Sequence, residues 1–255
     1  MENNTFNRVE KKYIINETQY KAIKAYIETN LNDISDSLSF HETYNISNIY
    51  YDTDDNLIIK KSVSKPAFKQ KLRLRAYGSI QKDSLIFIEL KKKINGYVNK
   101  RRTQINLNEV DSLIIEHRLP ELSGYHNEQV LKEILFFAKQ YELKPSLYLY
   151  YEREVYSTKD KSNLRITFDK NITTRRFKVD LTKGNFGKNL LADDTYVLEI
   201  KTNKNMPYWL NQLLGENKVF STSFSKYGSE FYEYLNKKYR KENKKCLNPY
   251  LEPLK

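Results

Sequence analysis

The chain has 255 residues, with 44 Lys or Arg against 32 Asp or Glu and a formal net charge of +12; this balance favours nucleic acid, anionic membrane or phosphorylated small molecules as partners without choosing among them. The single cysteine, Cys246, excludes an internal disulfide and points to a reduced, cytoplasmic setting, and its pairing with His41, His117 and His126 gives no zinc spacing. Seven glycines and no G-x-x-x-x-G-K-[ST] run exclude a P-loop, MENNTFN does not read as a signal peptide, and no apolar run approaches the roughly 18 residues that span a bilayer.

A first strand is predicted over residues 5–15, followed by a helix that Asn16 and Gln19 cap reciprocally and along which Ile23, Ile27 and Leu31 form a stripe. Strands follow at 44–51, 68–77, 84–94 and 97–107, the last two joined by a hairpin at Asn95-Gly96. Val130, Ile134, Phe137 and Tyr141 keep helical spacing in an insertion that stops at Lys144-Pro145, where a strand starts and runs to about residue 156. Three more strands are expected at 163–169, 176–181 and 196–202, and Gly184-Asn185-Phe186-Gly187-Lys188 reads as a hairpin turn rather than a phosphate cradle. Pro207 fits the first turn of a helix carrying Trp209, Leu210, Leu213 and Leu214, and Phe224, Tyr227, Phe231, Tyr234 and Leu235 mark a last one. With no linker or repeat, residues 1–255 read as one α+β domain of about eight strands, a number at which a sheet can close.

Several of these strands carry a positive charge on every second residue, as in Lys71-Leu72-Arg73-Leu74-Arg75. A strand alternates its side chains between two faces, so the cations share one face and the leucines the other. The same parity returns in Arg8-Val9-Glu10-Lys11-Lys12, Glu89-Leu90-Lys91, Lys100-Arg101-Arg102, Leu164-Arg165-Ile166-Thr167-Phe168-Asp169 and Leu198-Glu199-Ile200-Lys201. A solvated face mixes both signs, whereas this one collects Arg8, Lys12, Lys71, Arg73, Arg75, Lys91, Lys100, Arg102, Arg153, Arg165 and Lys201 against few carboxylates. Two unit charges about 7 Å apart repel by roughly 2 kcal/mol at an effective dielectric of about 20, so the bias argues for a bound polyanion. Parity leaves open whether the face is flat or rolled inward, and Lys11 and Arg101 fall off it.

The motifs Arg-x-Glu-x-Lys-Tyr (Arg8, Glu10, Lys12, Tyr13), Tyr-Asp-Thr (Tyr51 to Thr53), Lys-x-Arg-x-Arg-x-Tyr (Lys71 to Tyr77), Glu-Leu-Lys (Glu89 to Lys91), Lys-Arg-Arg (Lys100 to Arg102), Tyr-x-Arg (Tyr151 to Arg153), Leu-Arg-Ile-Thr-Phe-Asp (Leu164 to Asp169), Leu-Glu-Ile-Lys (Leu198 to Lys201) and Phe-Ser-Lys-Tyr (Phe224 to Tyr227) occur in that order. Together they resemble the VTC-type polyphosphate polymerase domain of the triphosphate tunnel, or CYTH-like, superfamily. The resemblance implies an antiparallel eight-stranded β-barrel with a polar, basic lumen and flanking helices. It implies transfer of the γ-phosphoryl group of ATP to a growing inorganic polyphosphate chain, with release of ADP and with Mn2+ or Mg2+ as cofactor. Carried over by position, Lys12, Arg73, Arg75, Lys91, Arg153 and Arg165 would grip the reacting phosphates, and Arg8, Lys71, Lys100, Arg102, Lys201 and Lys226 would bind substrate. Glu199 would hold the metal, with Glu10, Glu89 and Asp169 either helping it or orienting cations.

Two other functions compete. Related tripolyphosphatases and thiamine triphosphatases typically begin Glu-x-Glu-x-Lys, and Arg8 in place of the first glutamate favours a polymerase over a hydrolase. Family polymerases often carry a second lysine where Ser223 stands. A non-catalytic polyphosphate or RNA binder could stack bases on some of the 21 Tyr and 12 Phe. Most aromatics that can be placed fall on helix stripes or opposite the charged parity, and no RNP-like or helix-turn-helix signature occurs, so no nucleic acid is expected. The basic tail, about residues 241–255, reads as a solvated helix end with at most weak contact to an anionic membrane surface. The SPX domain and membrane anchor of fungal members have no counterpart in these residues, so no export of product is expected.

Overall fold

A computed structural model describes residues 9–30, 38–64, 66–95, 97–158, 164–203 and 205–246. Arg8, Leu31 and Gly96, the expected strand residues before Val9, Asn163, and the tail beyond Cys246 lie outside the described residues.

Strand β1 (Val9–Asn16) leads into helix α1 (Glu17–Thr29), and the Asn16 carboxamide and the Gln19 side chain cap its start in both directions. Strand β2 (Leu38–Asp52) is followed by α2 (Leu57–Val63), β3 (Phe68–Tyr77), β4 (Leu85–Ile94) and β5 (Tyr97–Asn106). The helical insertion contributes α3 (Val110–Ile114) and α4 (Glu128–Gln140), after which come β6 (Lys144–Thr158), β7 (Leu164–Arg175), β8 (Lys188–Asn189) and β9 (Thr195–Thr202). Helices α5 (Tyr208–Glu216) and α6 (Lys226–Cys246) close the sequence of elements.

All strands join one antiparallel sheet in the order β1-β9-β7-β6-β2-β3-β4-β5, with β8 attached to β7. Among the described residues the sheet has nine strands and is not closed by hydrogen bonds, which corrects the expected eight-stranded barrel. At the β1 edge the Lys12 carbonyl accepts 2.7 Å from the Thr222 amide, so part of that edge is covered by the α5–α6 connector rather than by β5. The ninth strand, β8, depends on Gly187, where a Cβ would lie 2.7 Å from the Thr174 carbonyl oxygen.

The strand expected at 176–181 is also absent. Lys178 adopts a left-handed φ of 48° there, and the Arg175 guanidinium gathers the chain by donating to the carbonyls of Lys178, Asp180, Gly184 and Phe186. The 184–188 turn thus turns carbonyls, not amides, toward its central group. Helix α2 was not expected from the sequence. Buried Asp52 accepts from the Ile58 and Ile59 amides at its start and from the Tyr227 hydroxyl of α6 at 2.9 Å, so the Tyr-Asp-Thr motif ties two helices to the end of β2.

Strand alternation decides the packing. On one face, Leu72, Leu74, Ile86, Ile88, Leu90 and Ile105 bury against Val130, Leu131, Ile134 and Phe137 of α4. On the same side of the far strands, Tyr13, Ile15, Ile166, Phe168, Leu198 and Ile200 bury against α1 and α5. The off-parity Arg101 lies on this outer side and pairs with Glu133 of α4 at 3.3 Å. The inner face is divided. Ile46, Leu147, Leu149, Tyr151, Ile172 and Val197 take Tyr227 and Phe231 of α6, and beyond them the inner positions of β6, β7 and β9 change to Arg153, Asp169 and Glu199. Helix α6 therefore covers the apolar half of the concave face and leaves the charged half as the lumen.

Candidate active site

Register sets the cations in rows across the sheet. Lys71, Lys91 and Lys100 face one another on β3, β4 and β5; the next row is Arg73, Glu89 and Arg102. On the other wall Arg165, Lys201 and Glu10 form one row and Thr167, Glu199 and Lys12 another. Like charges directly opposite each other in a sheet are destabilising, so a row of three lysines has a cost that the fold alone does not explain.

The sheet curls enough for the two walls to act on each other. Burial lowers the pKa of the Lys91 ammonium; Glu10 opposes that shift, and Lys12, Arg73 and Lys201 add to it, although β1 and β9 lie at the opposite end of the strand order from β4. Burial likewise brings Lys71 down to about 8, with Lys91, Lys69 and Lys12 adding to it and Tyr50 opposing. Lys100 also falls to about 8 through burial, against the pull of Glu89.

Four carboxylates stand among these cations. Asp169 is fully buried; Arg153 donates to it through two bonds of 2.5 and 2.7 Å, and Lys226 at the start of α6 donates at 2.5 Å. Glu89, 1 % exposed, sits between Arg73 and Lys100, each at 2.6 Å, and Arg73, Arg75 and Lys100 outweigh its burial and hold its carboxyl down at about 2. Glu10 and Glu199 share two lysines: Lys12 lies 3.2 Å from Glu10 and 3.7 Å from Glu199, and Lys201 lies 3.7 Å from Glu10 and 2.5 Å from Glu199. Lys201 and Lys12 outweigh burial and keep Glu199 far below the usual carboxylate range. By contrast, Lys71, Arg75, Lys91, Arg102 and Arg165 have no carboxylate in ion-pair distance among the described residues. Arg75 bonds neutral Asn48 at 3.2 Å and the Tyr151 hydroxyl at 3.4 Å, and Arg165 bonds the Tyr44 hydroxyl at 3.0 Å.

The structure thus brings together every sequence-predicted site residue except Arg8, which lies outside the described residues. What sequence reading missed is the set of neutral partners: Tyr44, Asn48 and Tyr50 all project inward from β2, a strand without alternating cations. Their signal is register, since Asn48 pairs with Arg75 and Tyr50 with Arg73 across β2 and β3.

As to metal, no group of three or more His, Cys, Asp or Glu side chains occurs among the described residues. A hard divalent ion needs few protein carboxylates where phosphate oxygens complete its shell, and Glu10 with Glu199 fits that donor set. Glu89 and Asp169 fit less well, because each is almost fully buried and hydrogen-bonded to an arginine guanidinium.

Two expected results follow from the unpaired cations. A polyanion that binds only the folded protein stabilises it by RT ln(1 + [L]/Kd), about 2.7 kcal/mol at a hundredfold excess over Kd. Tripolyphosphate should raise the melting temperature by several degrees and AMP by far less; the gain should shrink in Arg75→Ala or Arg165→Ala and persist when residues after Lys241 are removed. Equal gains from AMP, or loss of the effect on truncation, would place the anion site outside the lumen.

The second result concerns pH. Because Lys71 and Lys100 sit near 8 in the empty lumen, below the ordinary lysine value of 10.5, a bound polyanion pulls them back toward the ammonium. ATP, whose terminal phosphate is already ionised, should bind with constant affinity up to about pH 8 and more weakly above it, taking up protons near pH 9. Calorimetry in buffers of different ionisation enthalpy reads that uptake; constant affinity to about pH 10 would contradict the assignment.

A strongly basic, inward-curled antiparallel sheet flanked by helices is similar to the fold of triphosphate tunnel proteins. Consistent with this, the VTC domain family model matches residues 7–233, and the chain belongs to that family. Among solved structures it is similar to HpAC1 from Hippeastrum, a proposed adenylyl cyclase described with a dominant triphosphatase activity, at 16% identity and a TM-score of 0.51 over 86% of this chain and 93% of that one. It also matches a proposed adenylate cyclase from Vibrio parahaemolyticus (14% identity, TM-score 0.42, 86% of this chain and 94% of that one). A third match is the RNA triphosphatase domain of the mimivirus mRNA capping enzyme (12% identity, TM-score 0.33, 84% and 86%). No curated protein matches in sequence. No helix among the described residues is long and apolar enough to cross a membrane.

Proposed function

We propose that this VTC domain is a metal-dependent polyphosphate polymerase that moves the γ-phosphoryl group of ATP onto the end of an inorganic polyphosphate chain and releases ADP. The observation that carries the reading is the lumen's surplus of cations without carboxylate partners, in rows that suit a chain of phosphates more than a single one.

In the reaction, a terminal oxygen of the acceptor attacks the γ-phosphorus while the bond to the β-phosphate oxygen breaks, so catalysis lies in positioning and in neutralising spread-out charge. Arg73 and Arg153 are aimed by Glu89 and Asp169, which fix each guanidinium through hydrogen bonds. Arg75 and Arg165, held only by neutral groups, keep their full charge for phosphate. Lys12, Lys71, Lys91, Lys100 and Lys201 act as point charges along the chain, with Arg8 and Arg102 further contacts, and Lys226 approaches from α6. The acceptor phosphate is already ionised, so no base is required. A divalent metal, Mn2+ or Mg2+, would supply charge that offsets the negative charge developing between donor and acceptor, and Glu199 with Glu10 would hold it.

A hydrolase on the same fold is favoured by one observation, the triphosphatase activity described for the Hippeastrum protein. Against it, related hydrolases typically begin Glu-x-Glu-x-Lys, and this chain carries Arg8 where the first glutamate would stand. Incubation with tripolyphosphate alone and with ATP plus metal separates the two. The polymerase leaves tripolyphosphate uncleaved without ATP and lengthens it with ATP, whereas orthophosphate released from tripolyphosphate alone would assign the hydrolase.

A further inference from the structure

Among the described residues, the Tyr50 hydroxyl is a lumenal polar group that the reaction described above does not use. It projects from β2 toward Arg73, whose Nη1 donates to it at 3.3 Å while Nε donates to Glu89. Its ring packs on Tyr227 of α6 with centroids 4.6 Å apart, and Tyr227 is in turn pinned by its own hydroxyl to Asp52. Lys71 stands over the Tyr227 ring at 5.6 Å, and Arg75 and Lys12 face the same space from β3 and β1. A phenol whose oxygen accepts from a guanidinium must point its proton elsewhere. The groups facing it are cations and an aromatic ring, and none of these accepts that proton in a conventional hydrogen bond.

We propose that Tyr50 is a phosphate-contacting residue of the tunnel: its hydroxyl positions Arg73 and gives its own proton as a hydrogen bond to a phosphate oxygen of the bound chain. This inference rests on the reading of the lumen as a polyphosphate site and deepens it. The contact is neutral, which distinguishes it from every other phosphate contact assigned here. A neutral donor adds direction without adding to the repulsion among the lysines. The electrostatics agree. Burial would raise the Tyr50 pKa, but Arg73, Lys71 and Arg75 outweigh it and bring the phenol down to about 8 in the empty lumen. A phosphate chain screens those cations, and the phenol regains its proton as it meets the ligand.

The test uses wild type, Tyr50→Phe and, as a control on the outer face, Tyr156→Phe, whose hydroxyl bonds Glu28 away from the lumen. Tripolyphosphate affinity is measured by calorimetry without metal, and tyrosinate absorbance is followed in the near-ultraviolet at about pH 9. Wild type should show a tyrosinate signal that tripolyphosphate quenches, and so should Tyr156→Phe. Tyr50→Phe should lack the signal, bind roughly tenfold more weakly, equivalent to about 1.4 kcal/mol, and melt without ligand no lower than wild type. Equal affinity in Tyr50→Phe, or a quenched signal that survives in it, overturns the inference. If the variant fails to fold, the wild-type signal decides: its absence overturns the inference, and its quenching by ligand supports it. A wild type that does not bind tripolyphosphate at all would instead overturn the reading of the lumen itself.

Discussion

Arg75→Ala is expected to lower polyphosphate synthesis on the order of 100-fold without lowering the melting temperature of the empty protein, the scale of losing one preorganised donor to developing charge. The reason is the company Arg75 keeps. Asn48 and Tyr151 are neutral and Glu89 keeps its ion pairs with Arg73 and Lys100, so removing the guanidinium strands no charge and relieves part of the crowding in the lumen. Arg73→Ala should lose as much activity and also stability, because Glu89, 1 % exposed, would keep only Lys100. Leu72→Ala and Leu74→Ala should do the reverse. Both leucines are buried against the outer helices, and truncation should cost about 2 to 5 kcal/mol with turnover per folded molecule retained. Leucine variants that lose activity at unchanged melting temperature, beside active arginine variants, would reverse the two faces of the sheet.

Glu199→Gln is expected to remove synthesis almost entirely while leaving a folded protein that binds tripolyphosphate at least as tightly as wild type. Its carboxylate is held ionised by Lys201 and Lys12, so at neutral pH it carries a full negative charge into the cationic lumen. The amide keeps the shape and loses the charge a divalent ion needs. Glu10→Gln should weaken metal dependence less, since Glu10 is the more exposed of the pair, 35% against 8% for the side chains. Synthesis by Glu199→Gln near the wild-type rate at saturating Mn2+ would remove Glu199 from the metal role.

The two faces of the sheet were legible in the sequence because alternation is a local property. Lys71, Arg73 and Arg75 declare the charged face, and Leu72 and Leu74 declare the apolar one, without knowledge of any partner strand. The capped start of α1 was legible for the same reason. What was not legible depends on contacts distant in sequence. Residues 176–181 alternate as a strand would, yet four carbonyls of the surrounding loop converge on Arg175 and take the chain out of the ladder. Helix α2 follows Asn56 at a left-handed φ of 60° and takes its cap from Asp52, outside the usual position for such a residue. Closure of the sheet has no local signature at all, and the β1 edge meets Thr222 from a connector some two hundred residues away. The aromatics show the same limit. Tyr44 and Tyr50 belong to the lumen through the register of β2 with its neighbours, which composition alone reads as core.

The central claim is that the tunnel lengthens a phosphate chain with the γ-phosphoryl group of ATP, and the most direct measurement is a phosphorus NMR time course of the protein with ATP, Mg2+ and a short polyphosphate primer. The account predicts that the γ-signal of ATP disappears in step with ADP formation while mid-chain phosphate signal grows and orthophosphate stays near its starting level. Orthophosphate rising in step with ADP from the first turnovers, with no gain in mid-chain phosphate, would contradict it.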